Sequence, residues 1–155
     1  MGAGKSSVAK ALEKRLGINM IEMDNLIVNI SGRKTIKEIF EKDGEKHFRA
    51  LEIKVCQSLK DRNNLIISTG GGVINIKKNM KNLKNNGQIF YLKTSFLTIN
   101  KRLKNDKTRP LFKNKEAAGK LFNIRKKMYE KYADKEIITD NKTVNEVINC
   151  LVNLL

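Results

Sequence analysis

The chain opens Met1-Gly2-Ala3-Gly4-Lys5-Ser6-Ser7, and these residue types in this order suit the binding of a polyphosphate. Gly4 lets the backbone approach phosphate oxygens, and successive amide N–H groups form an anion nest. A helix starting here adds the positive end of its dipole, and Lys5 neutralises charge on a transferring phosphoryl group. Ser6 is suited to ligate Mg²⁺. The run is the second half of the pattern G-x-x-x-x-G-K-[ST], without its first glycine. A short match of this kind also arises by chance, so it gains weight only from the rest of the chain. Gly70-Gly71-Gly72 adds some, because it directly follows the apolar run Leu65-Ile66-Ile67. Three glycines weaken a fold unless bare backbone must lie against a ligand, and the Gly71 N–H is the expected contact.

These groups need elements to hold them, and helical and strand patterns alternate along the whole chain. Ser6 to Leu16 places Val8, Ala11, Leu12 and Leu16 at helical spacing and ends at Gly17, a natural cap. Ile18 to Met23 reads as a strand and about Asp24 to Ile30 as a helix ending at Ser31-Gly32. Thr35 with Glu38 predicts a capping box for a helix that Asp43-Gly44 breaks. Glu45 to about Leu59 continues helically, with Phe48, Leu51 and Val55 on one face. Leu65–Ile67, Ile89–Leu92 and Glu136–Thr139 read as strands. Helices are predicted from Ser95 to about Lys104, from Glu116 to Tyr132 and from Thr143 to Leu155. The last would pack Val144, Val147, Ile148, Leu151 and Leu155 on one face. Such β-α alternation predicts an α/β fold with a parallel sheet flanked by helices. Residues 105–115 carry the only proline between basic flanks and read as a mobile loop.

A phosphate loop of this type is preceded by a buried strand, and none precedes it here. The first strand and the loop's first glycine are therefore expected to be missing from the chain. On that reading the 155-residue product is poorly soluble or inactive until about ten upstream residues are restored.

The length suits a single domain, and a formal net charge of +16 invites a nucleic-acid partner. Yet the basic residues are 25 Lys and 7 Arg spread from Lys5 to Lys142, aromatics make up only 6% and Trp is absent. No basic stripe or stacking platform emerges, so no nucleic-acid partner is expected and the positive field serves small anions instead. Cys56 and Cys150 read as buried thiols in a reducing compartment, and no apolar run is long enough to cross a membrane. A cytosolic protein without a membrane partner is expected. His47 reads as a solvent-facing helix residue, and no ligand cluster supports structural zinc.

Taken together, Gly2 to Ser7, Glu22-Met23-Asp24, Phe48-Arg49-Ala50-Leu51-Glu52, Gly70-Gly71-Gly72, Arg109-Pro110-Leu111 and Arg125 to Tyr129 resemble the shikimate kinase family in order and spacing. Ser31-Gly32-Arg33, Ile39-Phe40 and Asp43-Gly44-Glu45 extend the resemblance over essentially the whole chain. It implies a three-layer fold of the P-loop NTPase type with a mobile lid. Gly2, Ala3, Gly4, Lys5, Ser6 and Ser7 would bind ATP, with Arg102 at the adenine and the lid residue Arg109 over the γ-phosphate. Asp24 would bind substrate hydroxyls and orient or deprotonate the attacking one, while Arg49 and Arg125 grip the substrate carboxylate. Gly70, Gly71 and Gly72 complete that substrate site, and Glu52 would hold Arg49 through an i, i+3 pair. Glu22 stands where the family usually has Asp and would hold a water on Mg²⁺; Ser68-Thr69 lies near that metal side. The resemblance further implies a monomer that transfers the γ-phosphate of MgATP to the 3-hydroxyl of shikimate, within aromatic amino-acid biosynthesis. A small kinase of another substrate, such as gluconate kinase, and a basic binding module that has lost catalysis are the alternatives.

Overall fold

A computed structural model of the chain describes residues 2–103 and 115–155. It comprises two compact units, one formed by Met1–Val8 with Ile89–Leu155 and the other by Ala9–Gln88. Among the described residues the strands pair in parallel, as expected from their continuous apolar runs, and form two two-stranded sheets, one within each unit.

In the unit Ala9–Gln88, helix α1 (Lys5–Leu16) leads in and stops at Gly17, whose φ of 67° only glycine adopts without strain. Strand β1 (Met20–Glu22) follows, with the Met20 N–H donating to Glu13 Oε1 at 2.8 Å. It pairs with β2 (Ile66–Ser68) in a register that sets Glu22 beside Ser68. Helix α2 (Met23–Ser31) starts directly at the end of β1, so the strand's carboxyl end and the first helical turn share Asp24. Helix α3 (Ile36–Lys42) has only half of the expected capping box. Thr35 Oγ1 accepts the Glu38 N–H, but the Glu38 carboxylate takes the N–H of Lys34 rather than that of Thr35. Asp43-Gly44 does break the helix, and α4 (Gly44–Leu59) begins there. Met23, Ile27, Ile39, Phe48, Leu51, Val55 and Cys56 form the core between these helices.

The Gly70–Gly72 turn runs into a 3₁₀ turn (Val73–Asn75) and helix α5 (Lys77–Leu83), neither of which the sequence reading contained. Lys-Lys-Asn-Met-Lys-Asn-Leu offers only two apolar residues, so its periodicity is too weak to announce a helix. The face it buries is instead Asn79, Met80 and Asn82.

In the other unit, β3 (Phe90–Lys93) pairs with β4 (Lys135–Ile138). Helix α6 (Phe96–Leu103) follows β3, and its Ser95 Oγ accepts the Thr98 N–H as a cap. Helices α7 (Lys115–Tyr132) and α8 (Val144–Val152) complete the unit. Val147, Ile148 and Leu151 are buried as predicted, whereas Val144 is 40% and Leu155 66% exposed. Helix α8 ends at Val152, which leaves Leu155 beyond the packed face. Cys56 is a buried free thiol, and Cys150 is only half-buried. Among the described residues no helix is long and apolar enough to cross a membrane.

Candidate active site

Three pieces of the unit Ala9–Gln88 converge at the carboxyl ends of β1 and β2, where α/β folds place ligands. Asp24 comes from the first turn of α2, Arg49 from α4, and the glycine turn follows β2. None of Gly70, Gly71 and Gly72 has the positive φ that by itself demands glycine. Close approach is the reason at two of them. A Cβ on Gly70 would stand 2.9 Å from Asp24 Oδ1, and one on Gly72 would stand 2.8 Å from Arg49 Nη1 and 2.9 Å from Nη2. A carboxylate and a guanidinium therefore lie close against backbone stripped of side chains.

Arg49 is held from both sides. Its Nη1 donates to both oxygens of Glu52, at 3.0 and 3.1 Å, as the i, i+3 spacing predicts. Its Nε and Nη2 donate to Glu45 Oε1 at 3.2 and 3.1 Å, a partner that sequence reading missed. The guanidinium also lies 5.1 Å from the centre of the Phe48 ring. Glu52 is 1% exposed, so its charge is tolerable only because it is paired. The neighbouring Cys56 thiol is pushed up to about 12 by burial, with the Glu52 charge adding to the effect. One turn of α5 supplies a further partner that the sequence did not suggest: Asn79 Nδ2 donates to Glu52 Oε2 at 3.3 Å. Across the strand pair, Ser68 Oγ donates to Glu22 Oε1 at 2.8 Å, which fixes that carboxylate at the end of β1.

The phosphate loop belongs to the other unit. Gly2 (φ 71°) and Gly4 (φ 85°) both sit in the left-handed region. A Cβ on Gly2 would also collide with Leu103 Cδ1 at 2.9 Å, so the loop lies tightly on α6. The Val8 N–H donates to the Gly4 carbonyl at 2.9 Å, so helical bonding begins at the loop's last glycine. No acidic side chain occupies the first turn of α1, which leaves its positive dipole end available to an anion.

Arg125 lies on α7 and lines a cavity of about 50 Å³ together with Ala3, Tyr91, Phe122 and Tyr129. Its Nε is buried without a hydrogen-bond partner among the described residues, an arrangement that awaits an acceptor. Burial raises both phenols of that wall, Tyr91 to about 12, while Arg125 pulls Tyr129 the other way. Arg102 is an exposed residue of α6 whose Nη2 donates to the Thr139 carbonyl at 3.3 Å. Asp140 beside it accepts from Ser95 and Thr98, and these bonds hold its carboxyl below the usual range. Arg109 and most of the expected lid lie outside the described residues. His47 is exposed, as expected.

A glycine loop opening a helix and a carboxylate–guanidinium cradle at parallel strand ends, in an α/β fold, define a P-loop kinase of small molecules. The family profile for shikimate kinase matches residues 1–155. The shikimate kinase of Persephonella marina is 39% identical over 150 residues, spanning 96% of this chain and 90% of that protein. That of Bacillus cytotoxicus is 42% identical over 149 residues, spanning 95% and 88%. Among solved structures, the shikimate kinase from Acinetobacter baumannii in complex with shikimate superposes with a TM-score of 0.90 at 34% identity, covering 99% of this chain and 87% of that one. The enzyme from Aquifex aeolicus gives 0.85 at 34% identity, covering 99% and 90%. The chain belongs to the shikimate kinase family and is an ATP-dependent kinase of the P-loop α/β fold.

Proposed function

We propose that the chain transfers the γ-phosphate of ATP to the 3-hydroxyl of shikimate, acting as a monomeric, cytosolic single-domain enzyme. The observation that carries this is the cradle in which Asp24 Oδ1 and the Arg49 guanidinium both press against the Gly70–Gly72 backbone. A fixed carboxylate and a fixed planar cation, separated by bare backbone, complement a compact acid that also bears hydroxyls.

In this reading Arg49 and Arg125 grip the shikimate carboxylate, and the orphaned Arg125 Nε supports the second assignment. Gly70, Gly71 and Gly72 admit the ring against the backbone. Asp24 accepts a hydrogen bond from the attacking hydroxyl and takes its proton as the O–P bond forms. Gly2, Ala3, Gly4, Ser6 and Ser7 cradle the ATP phosphates, and Lys5 and Arg109 stabilise charge spreading over the transferring phosphoryl oxygens. Arg102 flanks the adenine.

Mg²⁺ fits the available oxygens. Among the described residues there is no group of three or more His, Cys, Asp or Glu that could cage a metal, and Mg²⁺ in kinases is held by one or two protein oxygens plus substrate phosphates. Ser6 would ligate it, and Glu22, fixed by Ser68, would hold one of its waters. When bound, the ion neutralises the phosphate charge.

Coupled ADP release with MgATP and shikimate, run on this chain and on a version extended by about ten upstream residues, tests the reading. Shikimate-dependent turnover is expected in at least one of them, with Lys5→Ala reducing kcat by about a thousand-fold and Arg49→Ala raising the KM for shikimate but not for ATP. A folded protein that hydrolyses ATP without shikimate dependence, or phosphorylates gluconate instead, would overturn it.

A further inference from the structure

Asn79 is a buried polar side chain that the proposed phosphoryl transfer leaves unused. It lies on α5 with 0% exposure. Its Oδ1 is buried without a hydrogen-bond partner among the described residues, a cost that an apolar residue of similar size would not incur. Its Nδ2 points at Glu52 Oε2, 3.3 Å away. The amide cannot be turned over to reverse this, because a carboxylate offers only acceptors.

We propose that Asn79 is a positioning residue for substrate binding, acting through Glu52 on Arg49; this rests on Arg49 gripping the substrate carboxylate. Two carboxylates compete for that guanidinium. Glu52 is buried and takes Nη1, while Glu45 has a side chain 65% exposed and takes Nε and Nη2. The donor from Asn79 fixes the plane of the Glu52 carboxylate, and the carboxylate then fixes Nη1 at the edge of Gly72. Without that donor the Glu52 carboxylate loses one of the bonds that orient it, and Arg49 can follow Glu45 toward solvent, away from the glycine turn. The loss falls on recognition of the acid group and spares the phosphoryl-transfer step.

The test compares Asn79→Leu, Asn79→Asp and Arg49→Ala with the unmodified enzyme. Each is assayed with shikimate and with the analogue in which the carboxylate is reduced to a hydroxymethyl group, and folding is checked by circular dichroism. Asn79→Leu is expected to raise the KM for shikimate about ten-fold, to hold kcat within about three-fold, and to leave the KM for the alcohol analogue unchanged. Asn79→Asp, which turns an acceptor toward Glu52, should do the same. A KM for shikimate at the unmodified value, an equal rise for acid and alcohol, or a fall in kcat alone would each refute the inference. Failure of both variants to fold would refute it too, since the residue's role would then be structural. An unchanged shikimate KM in Arg49→Ala would instead remove the reading on which the inference rests.

Discussion

At Gly72 a single missing side chain decides where a charge can sit. Its φ of −97° suits any residue, so Gly72→Ala introduces no backbone strain, only a methyl 2.8 Å from Arg49 Nη1. A flexible side-chain end yields more easily than backbone, so the guanidinium moves. The expected outcome is a thermal midpoint within a few degrees of the parent and a shikimate KM raised about ten-fold. If Arg49 grips the substrate carboxylate as proposed, Arg49→Lys should raise that KM as much or more while leaving the ATP KM alone, because an ammonium cannot serve Glu45, Glu52 and that carboxylate at once. Steady-state kinetics with each substrate varied separately checks both. The pairing of Arg49 with Glu52 was legible because three residues on a helix make neighbours. Glu45 and Asn79 were not: an exposed Glu looks like any other, and nothing in a Lys- and Asn-rich stretch marks one amide as buried.

Elements were legible where apolar residues carry the period. Leu65–Ile67 and Ile89–Leu92 read as parallel strands because a strand covered on both faces is apolar throughout. Helix α5 escaped notice because its buried face is largely amide. Caps separate the two Thr-x-x-Glu sequences that spacing alone makes equivalent. At Thr143 the full reciprocal box forms, with Glu146 also receiving the Thr143 hydroxyl, whereas Thr35 has only the forward bond. Thr143→Ala is therefore expected to destabilise the protein by about 1–2 kcal/mol and Thr35→Ala by less, read as shifts of the urea midpoint at constant slope.

Over the whole molecule, charge governs the response to conditions. Glu38, Asp43, Asp140 and Glu146 all have carboxyls below their ordinary values, through hydrogen bonds from Lys42, Arg33, Thr98 and Thr143 respectively. A carboxyl that ionises more readily when folded stabilises above its unfolded pKa, and that stability is lost as pH falls through the lower folded value. Denaturation by urea at a series of pH values should show stability falling below about pH 5. A net charge of +16 should also draw both anionic substrates, so raising salt from about 0.05 to 0.5 M is expected to raise both KM values several-fold. Each parallel sheet, finally, joins residues far apart along the chain: Glu22 meets Ser68 across 46 positions, and Ile89 meets Asp134 across 45. Each unit must therefore close a long loop before its strands are rewarded, which predicts folding slower than for helical proteins of this size and two sets of amide protons with distinct exchange protection.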